Sequence, residues 1–417
     1  MNPSVICVMP QELLDKIVDE LHGDDATLKT CALASRSLLQ CSQSHIFSII
    51  CLSNSALCTR LHNALVANPH ISQYIQELEV IDIDPWLTDD RNLPIILNAI
   101  SALQCLAFGT ERGYYPWGDI PEDTKDALMS LFHLQSLTKV SLFGVCRLSM
   151  DFLAVPNHLR SLDITRTLLS THFESSVLDV TGITADSLHV YLLNSRSSWS
   201  QDHLANVTQQ CALFSKVRKL NAKVHPIALS IMKASMQSLK VIKLCEPFNT
   251  CDAYFDGYNG WLEFDFSTLP RLRRLTFHFS ISFNLQPSIS TAVPAALSRL
   301  RRFFTDSPSA GRAKTLKIYL TAKPAFPLQE ADMDRWTELP RLLGSSDVWG
   351  EIDGILETER RSAGAPGRFR LEVSLGLWGL DVMGMGGTEL VWRDAIRKGM
   401  PLAAEKGILV CELNSIR

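Results

Sequence analysis

The sequence predicts an α/β chain in three parts. Residues 1–52 form a small all-helical unit, 53–323 a helix-and-strand solenoid on a parallel sheet, and 324–417 an irregular C-terminal cap or lobe. Three observations predict this. Short helical patterns crowd into the first fifty residues. An apolar template then recurs at intervals of about 30 residues. Prolines 324, 327 and 340 interrupt that recurrence. Hydrophobic residues make up 46% of the 417 and charged residues 20%, so the chain has enough apolar surface for a core and is not wholly disordered.

Each N-terminal element has a local cause. Pro10 suits the first helical turn, where its missing N–H has no intrahelical partner. Leu13, Leu14, Ile17, Val18 and Leu21 then fall within an arc of about 140° on a helical wheel. Glu12, Asp15, Lys16, Asp19 and Glu20 fill the other side. Gly23 stops this helix, and Asp24 or Asp25 caps the next, which carries Leu28, Cys31, Ala32 and Ser35. A third helix follows Arg36, with Leu38, Leu39, Ile46 and Phe47 as its apolar members. Three helices in so few residues leave apolar surface for the rest of the chain, or for a partner, to cover.

These residues resemble a known family. The run Met9-Pro10-Gln11-Glu12-Leu13-Leu14-Asp15-Lys16-Ile17 is similar to the opening of an F-box, usually Leu-Pro-x-Glu-(Leu/Ile)-(Leu/Ile)-x-x-Ile. Leu28 to Leu38, with Cys31, Ala32, Ser35 and Arg36, resembles its second half. His45 to Ile50 resembles the ending found in many fungal members. Met9 stands for the usual Leu, Ala34 for Val and Leu38 for Trp. The resemblance implies docking on a Skp-type adaptor, and through it on a cullin, by way of Pro10, Leu13, Leu14, Ile17, Leu21 and Leu28.

Beyond Leu52, Ser53 or Ser55 is expected to cap a helix with Leu57, Leu61, Ala64 and Leu65 on one face. Asn68-Pro69-His70 ends it, and Ile75, Leu78, Val80 and Ile81 read as a strand. The template Φ-x-x-Φ-x-x-Φ-x-Φ follows. It occurs as Ile100/Leu103/Leu106/Phe108, Leu134/Leu137/Val140/Leu142, Phe214/Val217/Leu220/Ala222, Met236/Leu239/Ile242/Leu244 and Leu269/Leu272/Leu275/Phe277. Shorter versions lie at Leu159–Ile164, Leu188–Leu192 and Leu316–Leu320. A spacing of three suits a helix end or turn, and a spacing of two suits a strand. The strand anchors are Leu78, Leu106, Val140, Leu162, Leu188, Leu220, Ile242, Leu275 and Leu316. Helices are expected between strands, around Thr124–Phe132, Asp202–Phe214, Pro226–Met236 and Pro294–Phe304. A helix-plus-strand unit cannot bury its apolar face alone, whereas stacked units can. The pattern resembles irregular leucine-rich repeats; an ordinary α/β domain with a parallel sheet fits the same spacing. In the C-terminal part, strands are expected at Phe369–Leu375 and Ile408–Leu413, a helix near Glu389–Lys398, and an exposed loop at Ser362–Arg368.

The sequence offers little chemistry. It has no phosphate loop, HExxH or GxSxG motif, and its 11 histidines are scattered. No catalytic residue, cofactor or metal is expected. A Cys–His pair built from Cys245 or Cys251 has no spacing to favour it. Asp252 to Glu263 is a calcium-loop near miss, with Tyr254 at the third position. It reads better as an aromatic surface loop whose Tyr254, Phe255, Tyr258 and Trp261 face a protein target. The 11 cysteines lack CxxC spacing and read as reduced thiols of a cytoplasmic or nuclear protein. Neither Asn92–Thr110 nor Leu371–Trp392 is continuous enough for a membrane span, and no membrane contact is expected.

Net charge is −4, and nucleic acid is not expected as a partner. Yet 266–329 carries ten basic residues against Asp306 alone. Arg271, Arg273 and Arg274 are its densest cluster, a candidate surface for an acidic or phosphorylated stretch of a target. Taken with these features, the F-box resemblance implies a non-catalytic substrate receptor of a ubiquitin ligase of the SCF type. The alternative is a repeat-type interaction scaffold whose N-terminal helices only cap the solenoid.

Overall fold

The protein is described here from a computed structural model. It describes residues 9–82, 86–110, 113, 115–148, 159–165, 167–169, 186–191, 214–223, 226–245, 264–283, 289–324, 338–362, 369–378 and 386–416. The chain divides into two compact units, Met1–Ala185 with Leu193–Ser197, and Asp186–Leu192 with Ser198–Arg417. The helix expected at Asp202–Phe214, the loop at Ser362–Arg368 and the aromatic loop at 252–263 lie wholly or almost wholly outside the described residues.

The first unit opens with α1 (Gln11–Asp19), α2 (Asp25–Ala34) and α3 (Arg36–Ile46). Pro10 is the N-cap of α1 rather than its first helical residue. Gly23, at φ +94°, turns the chain out of α1, and the Asp24 side chain caps α2 by accepting from the Thr27 N–H. Ser35 caps α3 in the same way from Ser37. There follow β1 (Ile49–Leu52), α4 (Ser55–Ala67), β2 (Glu77–Asp82), α5 (Leu93–Ala99), β3 (Cys105–Thr110) and β4 (Tyr115–Pro116). Next come α6 (Glu122–Phe132), β5 (Lys139–Phe143), β6 (Val145–Leu148), β7 (Ser161–Thr165) and β8 (Leu168–Leu169). Asn54 caps α4, in place of the expected serines, because its side chain reaches the Leu57 N–H. Ser55 instead donates to Asp90, whose carboxylate also takes the Asn92 and Leu93 N–H groups at the start of α5.

Among the described residues of this unit, β1, β2, β3, β5 and β7 form a parallel sheet in chain order, and β4, β6 and β8 a small second one. The strand β1 occupies the last four residues of the 1–52 segment and pairs with β2, so a cut that spares the sheet falls before Ile49.

The second unit repeats the plan with β9 (Ser187–Tyr191), β10 (Lys219–Lys223), α7 (Pro226–Ala234), β11 (Val241–Cys245), β12 (Arg274–Phe283), α8 (Ile289–Asp306) and β13 (Thr315–Pro324). It continues with α9 (Val348–Ser362), β14 (Arg370–Trp378), α10 (Gly386–Gly399), α11 (Pro401–Glu405) and β15 (Leu409–Ile416). These strands pair parallel, again in chain order. Here the structure extends the expectation. The C-terminal strands β14 and β15 add to β13 in the same sheet, and α9, which the sequence reading did not anticipate, buries Trp349, Ile352 and Leu356. Helix α8 begins five residues before Pro294, which lies inside it.

The register explains the sequence period. Leu78, Leu106, Val140 and Leu162 are consecutive Cα partners in the first unit. Leu188, Leu220, Ile242, Leu275 and Leu316 are consecutive partners in the second, continued by Leu371 and Leu409. All nine anchors are therefore rungs of apolar columns, and all nine are buried. A second column lies two residues on: Leu52, Val80, Phe108, Leu142 and Ile164, then Val190, Ala222, Leu244, Phe277, Ile318, Val373 and Cys411. The leading pair of three templates is a turn, seen in the backbone bonds from Leu137 N to Leu134 O, Val217 N to Phe214 O and Leu272 N to Leu269 O. Helices cover the columns. Phe303 of α8 packs on Phe277 with ring centroids 4.0 Å apart.

Truncating a column residue leaves a cavity, so Leu106→Ala is expected to cost about 2–5 kcal/mol in urea unfolding, whereas Ala107→Ser on the other face is expected to cost under about 1 kcal/mol. Gly109, at φ +156°, lies so close to the next strand that an added Cβ runs into the Phe143 carbonyl oxygen. Gly109→Ala is expected to cost at least about 3 kcal/mol, since backbone, not a movable side chain, is in the way.

Candidate docking surfaces

The first candidate surface belongs to α1–α3. The apolar arc of α1 splits in two. Val18 is 1% exposed, and Leu14 and Leu21 are half-buried. Leu13 and Ile17, one turn apart, are 48% and 51% exposed and extend the line of exposed Met9. On α2, Leu28 is buried and belongs to the packing of the module, whereas Leu33 is 90% exposed. Pro10 is exposed. Of the six expected docking residues, then, Pro10, Leu13 and Ile17 are open to a partner and Leu28 is not. Met9, which opens the motif, and Leu33 are further exposed apolar groups outside those six. The module is tied together by polar contacts: Gln11 Nε2 donates to Ser37 O at 2.7 Å, and His45 Nε2 lies 2.7 Å from Asp19 Oδ1.

The second candidate surface runs along the N-terminal ends of the strands in the second unit. The backbone there forms a staircase. Lys240 N donates to Arg218 O, Arg273 N to Lys240 O and Thr315 N to Arg273 O, each at 2.8 Å, and Arg370 N donates to Lys314 O at 3.0 Å. Basic residues therefore stand immediately before successive strands, Arg218, Lys240, Arg273 and Lys314, at the inter-strand spacing of about 4.8 Å. Lys219, Arg274 and Arg370 form a partial second row one residue on, and Arg271 sits beside them in sequence. Acids close both ends: Asp186 pairs with Arg218 at 3.2 Å and Glu372 with Arg370 at 2.8 Å. Between them, Lys219, Lys240, Arg271, Arg273, Arg274 and Lys314 have no carboxylate partner among the described residues.

Four other bases of 266–329 fare differently. Arg301 pairs with Glu351, Arg302 with Asp306, Arg312 with Glu359, and Lys317 with Glu372 and Glu412. The sequence cluster Arg271, Arg273 and Arg274 is thus part of a longer comb. Lys314 is one of the ten bases of 266–329, whereas Arg218 and Lys240 lie before that segment and join the comb because it runs across strands rather than along the chain. Tyr258 and Trp261 lie outside the described residues.

The structure also joins Cys245 to a histidine. His278 is its register partner on β12, with Sγ 3.8 Å from Nδ1, and His278 Nε2 meets the Thr321 hydroxyl. Tyr319 packs against the ring at 4.9 Å. Burial, helped by the Lys243 charge, pushes the imidazole down to about 4. His278 is therefore neutral at neutral pH. Cys251 lies outside the described residues. Among the described residues, no helix is long and apolar enough to cross a membrane. No protein-family model matches the chain, and no curated protein matches it.

His278 gives a pH prediction. Its folded-state value lies below the ordinary 6.5, so the unfolded chain binds a proton that the folded chain refuses. Its neutral burial costs nothing above about pH 6.5, and stability is lost progressively as pH falls from there toward 4. His278→Gln is expected to flatten this acid limb by an amount on the order of 2 kcal/mol in denaturant titrations at pH 4.5 against pH 7.

Proposed function

We propose that the chain is the substrate-recognition subunit of an SCF-type cullin–RING ubiquitin ligase, acting in the cytoplasm or nucleus. In this reading α1–α3 are an F-box that docks on a Skp-type adaptor, and the parallel-sheet repeats are a leucine-rich-repeat-like solenoid that holds the target. The observation that carries the proposal is the split face of α1. A three-helix module that keeps Leu13 and Ile17 half exposed, beside Met9 and Leu33, has apolar surface left for a partner. The residues that carry it stand in the F-box-like motif. The basic comb centred on Lys240, Arg273 and Arg274 supports a target with an acidic or phosphorylated stretch, because arginine forks bind carboxylates and phosphates bidentately. The chain's contribution to catalysis is then to hold the target near a ubiquitin-charged enzyme, turning an encounter in solution into a local one.

Co-purification of the full chain with the adaptor tests the first contact. Because Leu13 and Ile17 are exposed, the double variant Leu13→Asp/Ile17→Asp is expected to keep its unfolding midpoint while losing adaptor affinity at least about tenfold. Val18→Asp places a charge inside the module and is expected to unfold α1–α3 at a cost of several kcal/mol, read by circular dichroism. If the wild-type chain recovers no adaptor, the scaffold reading, in which these helices only cap the repeats, takes its place.

The comb has its own test. Replacing Arg271, Arg273 and Arg274 with Ala is expected to weaken capture of the co-purified target and to reduce the salt sensitivity of that capture. Target binding that responds to neither the variant nor added salt would leave the comb as plain solvated surface.

A further inference from the structure

Where α1 ends against α3, side chains of three metal-binding types converge. Cys41 and His45 stand four residues apart on α3 and so share a face. Asp19 closes α1 opposite them. Its Oδ1 lies 2.7 Å from His45 Nε2 and 3.7 Å from Cys41 Sγ, and the donor atoms of all three residues lie within 4.8 Å of one another. The ring of His22, three residues past Asp19, stands 5.6 Å from that of His45, centroid to centroid. Around a tetrahedral zinc ion, with ligands at 2.0–2.3 Å, neighbouring donors are about 3.3–3.8 Å apart. The Asp19–Cys41 pair already has that spacing. The Asp19–His45 pair is hydrogen-bonded, and rotations of under about 1 Å open it to the same distance.

We propose that Asp19, Cys41 and His45 form a binding site for a zinc-class divalent transition metal, with His22 or a water as the fourth donor. Sulfur, imidazole nitrogen and carboxylate oxygen together suit zinc or cobalt, whereas calcium and magnesium want oxygen alone. The three residues are separated by 22 and 4 positions on two helices, so no short spacing motif marks them.

Two independent features favour a cation here. The first is the local field. Asp19 and, one turn before it on α1, Asp15 place two carboxylate residues beside Cys41, whose Sγ lies 3.7 Å from Asp19 Oδ1 and 3.7 Å from the Asp15 carbonyl oxygen. Those carboxylates oppose a bare thiolate but attract a dication. Metal binding forms the S–metal bond and releases the thiol proton to solvent. The second is the poverty of the module's interior. Among residues 9–47 only Val18, Leu28 and Ser42 are buried, and the Ser42 hydroxyl has no hydrogen-bond partner. A three-helix module of this size lies near the lower limit for folding firmly by its core alone, so a metal or a partner adds constraint. A metal clip between α1 and α3 supplies that constraint on the helix that carries Leu13 and Ile17, whichever partner docks there.

The test uses the full chain, stripped with a chelator and titrated with Co2+ as the spectroscopic probe. One equivalent is expected to bind, giving a sulfur-to-cobalt charge-transfer band in the near ultraviolet and tetrahedral bands in the visible, all displaced by Zn2+. Cys41→Ser is expected to abolish the charge-transfer band. Asp19→Asn and His45→Gln are each expected to weaken Co2+ binding by roughly tenfold or more. Cys105→Ser, a half-buried thiol on β3, serves as the control and is expected to change neither. Circular dichroism of each variant checks the helices, and if Cys41→Ser fails to fold, the other two variants decide. Absence of a stoichiometric site in the wild-type chain overturns the proposal. So does a charge-transfer band that survives in folded Cys41→Ser, or an affinity unmoved by both Asp19→Asn and His45→Gln.

Discussion

Strand register is the constraint on which the rest of the structure depends. A parallel strand alternates its side chains between two faces, so a slip of one residue would exchange the apolar column for the polar row along a whole strand. Leucine, isoleucine or valine at each anchor, with a second apolar residue two positions on, makes such a slip costly. Each fully buried anchor is worth about 1.5–3 kcal/mol relative to exposure. Because the columns fix the register, they also fix what stands on the opposite face and at the strand ends. The Cys245–His278 contact and the basic comb both follow from that alignment, since neither pair of neighbours is close in sequence.

The helical connections are held by fewer but stronger ties. Two buried aspartates cap one helix while tying it to another. Asp90 gathers the N–H groups that open α5 together with the Ser55 hydroxyl and the Cys58 thiol. Asp353 of α9 accepts the Leu402 and Ala403 N–H groups that open α11, 49 and 50 residues away. Burial raises the Asp353 carboxyl above its ordinary range, and those same backbone bonds pull it back toward the ionised form. Each cap fastens one helix to another without covalent linkage. The Trp349–Trp392 edge contact does the same between α9 and α10, with ring centroids 6.4 Å apart.

Much of this was legible in the sequence, for a physical reason. Apolar period reports burial directly, so the five templates placed their strands and turns, and the nine anchors placed the register. The reading weakened where the spacing changed. Leu371 lies 55 residues after Leu316, and the Pro-rich interval hid the fact that β14 and β15 continue the same columns. Helix α9 was missed in that stretch although Trp349, Ile352 and Leu356 carry a helical period. The docking face was only half legible. A helical wheel groups Leu13, Ile17 and Val18 together, and only packing against α3 separates the buried one from the exposed ones. The basic patch was legible only around Arg271, Arg273 and Arg274; its extension to Arg218 and Lys240 follows from the register, which sets each base two residues before a strand anchor. The Asp19–Cys41–His45 cluster was not legible, because Asp19 meets the other two across helices.

Chain order has a consequence for how the molecule comes to be made. Within each unit the main-sheet strands are added one after another, each on the strand before it. A growing chain leaving the ribosome therefore always offers the finished edge that its next strand requires. No strand waits for a distant partner still to be synthesised, and the loop to be closed is never longer than one repeat. The entropy of closure rises only slowly with loop length, so even the 55-residue step from Leu316 to Leu371 costs little more than the shorter ones. An all-parallel sheet is ordinarily slow to assemble because its pairings are remote. Here the remoteness is divided into steps of one repeat each, from 22 residues between Leu220 and Ile242 to 55 between Leu316 and Leu371, which suits folding during translation.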